Sequence, residues 1–234
     1  MRLILIAIAA LVLQDTKELT KNWKHRWADA AAGSSVTFEV TVMVPDMSGS
    51  KEMKTTRIET VTKVDGKNVT IEFNDDGAKN SQVFHIGLPS EYEGPCTKGA
   101  DEEIKVGDKS YKCSVTEIKK ESGTVVQLLK IWTCADAPSW AVKQAWSQST
   151  SGKVKAGWAE ELTGTEKLKI AGKEVACAIV RRTTEAATVK AVDTEWRTPD
   201  LPGGVAKATA QTFINGKEMT EAATTKVATG FERK

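Results

Sequence analysis

The sequence predicts a mainly β protein: an antiparallel meander folded into a curved sheet, with an internal duplication and one N-terminal helix. Three observations predict it. After Ser34 the chain consists of short runs that alternate apolar and polar residues, such as Val36-Thr37-Phe38-Glu39-Val40-Thr41-Val42. Turn signals punctuate these runs at intervals of about 8–12 residues, the spacing of a meander. The chain also matches itself without a gap when shifted by 64 residues, the separation of Cys113 and Cys177.

The elements follow in order. Met1-Arg2 precedes an apolar run from Leu3 to Leu13, and then Gln14-Asp15. A bilayer-spanning helix needs roughly 20 apolar residues. One basic residue before a shorter apolar stretch is the pattern of a secretory signal peptide. Residues 1–14 are therefore read as a leader. The mature chain is expected in the periplasm or outside the cell, with no stable membrane span after cleavage. No Cys follows the run, so lipid attachment there is not expected. From Thr16 to Ala32, Leu19, Trp23, Trp27 and Ala30 recur at helical spacing, with Gly33 placed as a C-cap. Asp65-Gly66 and Asn74-Asp75-Asp76-Gly77 read as turns, and Ser151-Gly152 and Asn215-Gly216 as two-residue hairpins. Residues 75–101 read as the longest irregular stretch and hold His85, Pro89, Tyr92 and Cys96.

Under the shift Glu102 falls on Glu166, Lys109 on Lys173, Cys113 on Cys177 and Trp132 on Trp196. Pro138 falls on Pro202, Lys143 on Lys207 and Gly152-Lys153 on Gly216-Lys217. Chance does not readily place a Cys, a Trp, a Pro and a hairpin Gly in one unbroken register. The organisation read from this is a helix, a diverged β unit and a loop over 15–100, one β repeat over 101–163 and a second over 164–234. Within the first part, Lys51-Glu52-Met53 echoes Lys217-Glu218-Met219.

Composition excludes several function classes. The chain carries 33 basic and 31 acidic residues, a net charge of +2. Phosphate binding needs a concentrated basic face, so no nucleic-acid partner is expected. The only histidines, His25 and His85, stand far apart in sequence, and there is no C-x-x-C. No metal and no cofactor are expected. Hydrolase signatures and Gly-rich phosphate loops are absent, so no catalytic residue is assigned and the chain is not read as an enzyme.

Four cysteines allow three pairings, and spacing does not choose among them. Cys113 and Cys177 occupy equivalent places and, with Trp132 and Trp196, are read as core anchors of the repeats. Cys96 and Cys134 lack counterparts and form the candidate disulfide. Trp140, Trp146 and Trp158 are also unshared: their counterparts are Gly204, Ala210 and Ala222. Alternation puts Trp140, Val142, Gln144 and Trp146 on one sheet face, and the Ser151-Gly152 turn brings Trp158 beside Trp146. Trp140, Val142, Trp146 and Trp158 are thus the candidate apolar binding face, against the alternative that the indoles fill the core.

The leader, the Trp-bearing segment, Gly172, Lys173, Cys177, Trp196 and Leu201-Pro202-Gly203-Gly204 together resemble exported, planctomycete-like bacterial β-repeat proteins of unknown function. More distantly, a helix followed by antiparallel strands is similar to the lipoprotein-carrier-like families of the periplasm. There a curved sheet wraps a helix and can hold an acyl chain. The first repeat departs from the motif, with Pro138-Ser139-Trp140 where the second has Pro202-Gly203-Gly204. The resemblance implies no catalytic residues. The expected function is an exported, non-catalytic binding or carrier-like protein for an apolar ligand, with a lipid, a peptide or an envelope protein as partner. The alternative is a structural envelope protein in which the repeats act as scaffold.

Overall fold

The computed structural model describes residues 13–14, 25–46, 49–86, 89 and 92–234. Its sixteen strands are β1 (Leu13–Gln14), β2 (Ser35–Asp46), β3 (Gly49–Val64), β4 (Asn68–Asp75), β5 (Ala78–His85), β6 (Cys96–Lys98), β7 (Glu102–Val106) and β8 (Lys109–Ser122), followed by β9 (Val125–Thr133), β10 (Lys143–Thr150), β11 (Lys153–Ile170), β12 (Lys173–Ala186), β13 (Val189–Arg197), β14 (Val205–Ile214), β15 (Lys217–Glu218) and β16 (Thr224–Glu232). They form one open antiparallel sheet in the order β1-β6-β8-β9-β10-β11-β12-β13-β14-β16-β2-β3-β4-β5, with β7 beside β8 and β15 beside β14. Most neighbours are consecutive, as a meander requires.

The turn chemistry sets the hairpins. Asp76-Gly77, Ser151-Gly152 and Asn215-Gly216 have positive φ at both central positions. That is the type I′ geometry, whose twist matches the flanking strands. The bounds of β8 and β9, moved on by 64 residues, are those of β12 and β13. The stretch expected to be irregular over 75–101 instead contains β5 and β6, because Asp76-Gly77 reverses the chain tightly and lets Ala78–His85 pair with β4.

The sheet curls. Val36, Phe38 and Val40 of β2 share a buried cluster with Ile170 of β11 and with Val175 and Cys177 of β12. β2 and β11 lie five steps apart in the strand order. Strands sit about 4.8 Å apart in a sheet, so a flat sheet would hold these side chains out of contact. Strand twist and bulges supply the curvature. The ladders shift register between Leu162 and Gly164 and between Ala228 and Gly230.

Of the helix expected over Thr16–Ala32, the part through Lys24, with Leu19 and Trp23, lies outside the described residues. From His25 the chain makes successive turns, with Ala28 N–H donating to His25 O at 2.8 Å and Ala30 N–H to Trp27 O at 3.1 Å. Gly33 takes a left-handed φ of 89° and donates its N–H to Val61 O. This hands the chain to the β2–β3 hairpin. Trp27 is 1% exposed and packs with Ala30, Val61, Val69 and Ile71. Its indole ring lies flush on Gly203, whose backbone φ is 72°.

A Cβ on Gly203 would stand 2.5 Å from the Trp27 ring, whereas one on Gly77 would meet nothing within 4 Å. Gly203→Ala should therefore destabilise by about 2–4 kcal/mol, combining overpacking with a strained φ. Gly77→Ala carries the φ penalty alone, about 1 kcal/mol. Urea unfolding midpoints of the two variants check the difference, and equal shifts would refute the close packing of Trp27 on Gly203.

Candidate functional site

The ladder registers decide which side chains share a surface. Gln144 lies opposite Glu160, Glu160 opposite Arg182, and Arg182 opposite Asp193. One pleat along, Trp146 lies opposite Trp158 and Trp158 opposite Thr184. A pair of indoles on β10 and β11 therefore sits beside a polar row that runs from Gln144 on β10 to Asp193 on β13.

Above this surface stand two corners and the N-terminal turns. The corner between β9 and β10 carries Pro138, Ser139 and Trp140, and that between β13 and β14 carries Thr198, Pro199 and Gly204. With His25, Arg26 and Asp29 they bound a cleft of about 610 Å³. Such a volume is in the range of small-molecule sites. A second hollow of about 530 Å³ shares Arg182, Glu195 and Arg197 with it and extends to Arg57 and Lys226.

The apolar wall of the cleft is Tyr92, Trp140 and Trp158; behind it Cys96, Ile118, Leu129 and Ile131 form a buried cluster against which Trp140, Trp146 and Trp158, each half-buried, are packed. Trp140 meets Tyr92 edge-on with ring centroids 5.8 Å apart. The Tyr92 hydroxyl donates to Gln144 Oε1, and Gln144 Nε2 donates to Glu160 at 3.3 Å. The structure thus brings three of the four predicted face residues together. Val142 departs from the expectation. It is 1% exposed and packs with Trp132, Cys113 and Leu162 in a separate cluster. The reason is local: β10 starts only at Lys143, and the bends after Pro138 break the alternation that would have aligned Val142 with Trp146.

The charged wall is organised by Arg197. Its guanidinium donates twice to Glu160, both at 2.9 Å, and once to Glu195 at 2.8 Å. Glu160 is thereby occupied on both oxygens. Arg182, its direct cross-strand neighbour, makes no ion pair or hydrogen bond among the described residues and instead lies over the Trp158 ring, 4.4 Å from its centroid. These charges escaped sequence reading because they converge only through the register. Their sole signal is alternation along each strand, which Glu160, Arg182, Asp193, Glu195 and Arg197 share with many solvated residues.

The repeat anchors sit away from the cleft. Cys113 and Cys177 are buried, and each thiol points at a carbonyl two residues back, Tyr111 O and Val175 O. The indole N–H of Trp132 donates to Glu102 and that of Trp196 to Glu166. Lys143 and Lys207 lie over the respective rings at 5.2 and 4.3 Å. The expected Cys96–Cys134 bond is not formed. Cys96 lies opposite Ile118 on β8, whereas Cys134 follows the end of β9 and packs in the cluster of Cys113. Five residues of β8 separate those two places, roughly 16 Å at strand rise.

His25 borders the cleft, and its ring is 6.1 Å from Phe84. Burial, followed by the charges of Arg26 and His85, holds its pKa below the usual histidine value. Ser139 borders the same cleft, but its hydroxyl donates to Ala141 O at 2.6 Å. No cluster of His, Cys, Asp and Glu among the described residues is arranged to hold a metal.

No family model and no curated protein matches the chain. Among solved structures it is similar to a Bacteroides fragilis protein designated exported with a YmcC-like fold, at 11% identity and a TM-score of 0.39, covering 87% of this chain and 97% of that one. A Parabacteroides distasonis protein designated a lipoprotein aligns at 9% identity and a TM-score of 0.38, covering 89% and 99%. The hypothetical lipoprotein YmcC of Escherichia coli aligns at 9% identity and 0.33, covering 94% and 90%. Likenesses of this size say nothing of what this chain binds. No helix among the described residues is long and apolar enough to cross a membrane.

Two carboxylates at the site are driven in opposite directions. Burial pushes Glu195 up, but the charge and hydrogen bond of Arg197, with the charges of Arg26 and Lys226, together outweigh it and hold the carboxyl below the usual range. Asp193 is pushed above its ordinary value by burial and then by Glu195, with Arg182 only partly compensating. A carboxyl raised in the folded state favours folding when protonated and loses that contribution as pH rises through its folded pKa. Asp193→Asn should therefore raise stability at neutral pH, and the gain should vanish below the ordinary aspartate range. Thermal melts from pH 3 to pH 8 check the sign, and a gain that grows in acid would contradict it.

Proposed function

We propose that the chain is an exported, non-catalytic binding or carrier-like protein. Its cleft holds an amphipathic ligand, an apolar chain with an anionic head. The head meets Arg182, and the chain lies against Trp140, Trp158 and the Tyr92 wall. The observation that carries the reading is Arg182. It stacks on Trp158, at the lip of an apolar wall, and hydrogen-bonds to neither of its cross-strand carboxylates: Glu160 is taken by Arg197 and Gln144, and Asp193 only feels its charge. A guanidinium is a strong partner for carboxylate or phosphate oxygens, and stacking on an aromatic face leaves its N–H edge available.

Export is supported by the pattern of residues 1–14. Duplication is supported by the contacts that recur at the 64-residue offset, above all Glu102 with Trp132 and Glu166 with Trp196. On this reading the repeats supply the frame, and the cleft lies between their two corners.

One observation favours the scaffold alternative. β5 is the last strand of the order and is almost wholly exposed, with Val83 at 63%. An edge of that kind can accept a strand from a partner.

Binding of a fluorescent long-chain fatty acid to the purified chain tests the proposal. Saturable binding is expected, with quenching of tryptophan emission. Arg182→Gln should weaken it by roughly 10-fold or more, the worth of one charge-assisted hydrogen bond. Val83→Lys on the edge should leave it unchanged. No saturable binding, or binding indifferent to Arg182→Gln, would sink the reading.

A further inference from the structure

The β8–β9 ladder ends at Ser114 opposite Thr133. One antiparallel step further sets Cys113 opposite Cys134. Cys134 packs in the cluster that contains Cys113, and the two thiols are close enough to influence each other's charge. At the 64-residue offset the ladder has Ala178 opposite Arg197, so Cys177 faces Thr198. The two units thus share one cysteine of this cross-strand pair, and only the first unit carries a second.

Directly opposed residues of antiparallel strands hold their Cβ atoms about 4.5–5.5 Å apart. A disulfide needs Cβ atoms roughly 3.5–4.5 Å apart, with Cα atoms about 4.4–6.8 Å apart. Cys113 now points its thiol at Tyr111 O. Bonding therefore requires a side-chain rotation and a closing of the strand ends. We propose that Cys113 and Cys134 form a cross-strand disulfide that ties the Trp140 corner to β8. The proposal is independent of the ligand assigned to the cleft.

The oxidant is a disulfide-bearing oxidoreductase or disulfide small molecule of an oxidising compartment. Cys134, half-buried, is the thiol it can reach. The Cys134 thiolate attacks one sulfur of the oxidant's disulfide and expels the other as a thiolate. Cys113 then gives up its proton and attacks the Cys134 sulfur of the mixed disulfide, and the oxidant leaves fully reduced. The two cysteines lose two electrons and two protons, and the oxidant gains both. Burial pushes the Cys113 thiol up to about 11, which slows the second attack by keeping it protonated.

The bond would give the first corner a fastening that the second already has. There Gly203 sits under the Trp27 ring, and Thr198 N–H donates to Gly204 O at 2.9 Å. The first corner has no indole on it; its own backbone closes it through Ala137 N–H to Cys134 O and Val142 N–H to Trp132 O.

The test uses the full chain, reduced and then incubated with oxidised glutathione. Trypsin places the four cysteines on four separate peptides. Non-reducing mass spectrometry should show the Cys113 and Cys134 peptides joined, with two hydrogens lost. The oxidised protein should melt roughly 5–10 °C above the reduced one, as expected for closing a loop of about 20 residues. Cys134→Thr copies the residue at 198 and should abolish both effects; if it does not fold, the peptide map of the parent chain decides alone. Glutathione retained on Cys134 beside a reduced Cys113, a bridge from Cys134 to Cys96, or four reduced thiols would each overturn the proposal.

Discussion

The ladder between β16 and β2 is the constraint on which the rest depends. It runs from Thr224 opposite Val42 to Glu232 opposite Ser35. Nearly every other strand pairs with a neighbour in sequence, and such hairpins close cheaply because few residues are looped out. The β16–β2 ladder joins strands almost two hundred positions apart and makes one sheet of the N-terminal β2–β5 unit and the C-terminal meander. Its side chains share the work. Val36 and Phe38 are buried with Ala228, and Phe231 packs on the same cluster. Lys226 spans from β16 to Glu59 on β3 at 3.2 Å while its ammonium lies over the Phe38 ring. Glu59 is only 3% exposed. A buried carboxylate stripped of its partner costs about 3–5 kcal/mol, so this ion pair penalises any slip of the two strands.

The cleft is a consequence of that closure. The turns at His25–Ala32 precede β2 directly, so joining β2 to β16 carries Trp27 onto the second corner at Gly203. The same turns bring His25 and Arg26 over strands that are distant in sequence. Curling then sets the charged row of β11–β13 opposite them. Arg197 on β13 reaches across β12 to both oxygens of Glu160 on β11, and Arg182, between them, stacks on Trp158.

Legibility in the sequence followed the range of the interaction. Asp76-Gly77, Ser151-Gly152 and Asn215-Gly216 could be read as turns because their backbone geometry depends on the residues themselves. The convergence of Trp146 with Trp158 was readable because one turn fixes the register between them. Val142 was misassigned because alternation holds only inside a strand, and a proline corner resets the phase. The Cys96–Cys134 pairing was misread because the surroundings of Cys134 are set by the β8–β9 register rather than by which cysteines lack a counterpart. The β16–β2 ladder was not legible at all, since backbone N–H and C=O groups are common to every residue but proline and carry no address.

The two corners show why function should be sought where the copies differ. Within the strands the shared residues repeat their contacts: an indole on a glutamate, a lysine over the indole, a cysteine beneath. Such contacts fix strand spacing and leave little freedom to bind anything. The corners inherit the same backbone problem, a proline-bearing reversal between antiparallel strands, and solve it differently. In the second, two glycines with positive φ let an indole from another element settle on the backbone. The first has no glycine there and projects its own indole, Trp140, towards Tyr92 and the cleft. One corner therefore receives an aromatic ring and the other presents one. That difference turns a near-symmetric pair of units into a surface with one closed end and one apolar, open end.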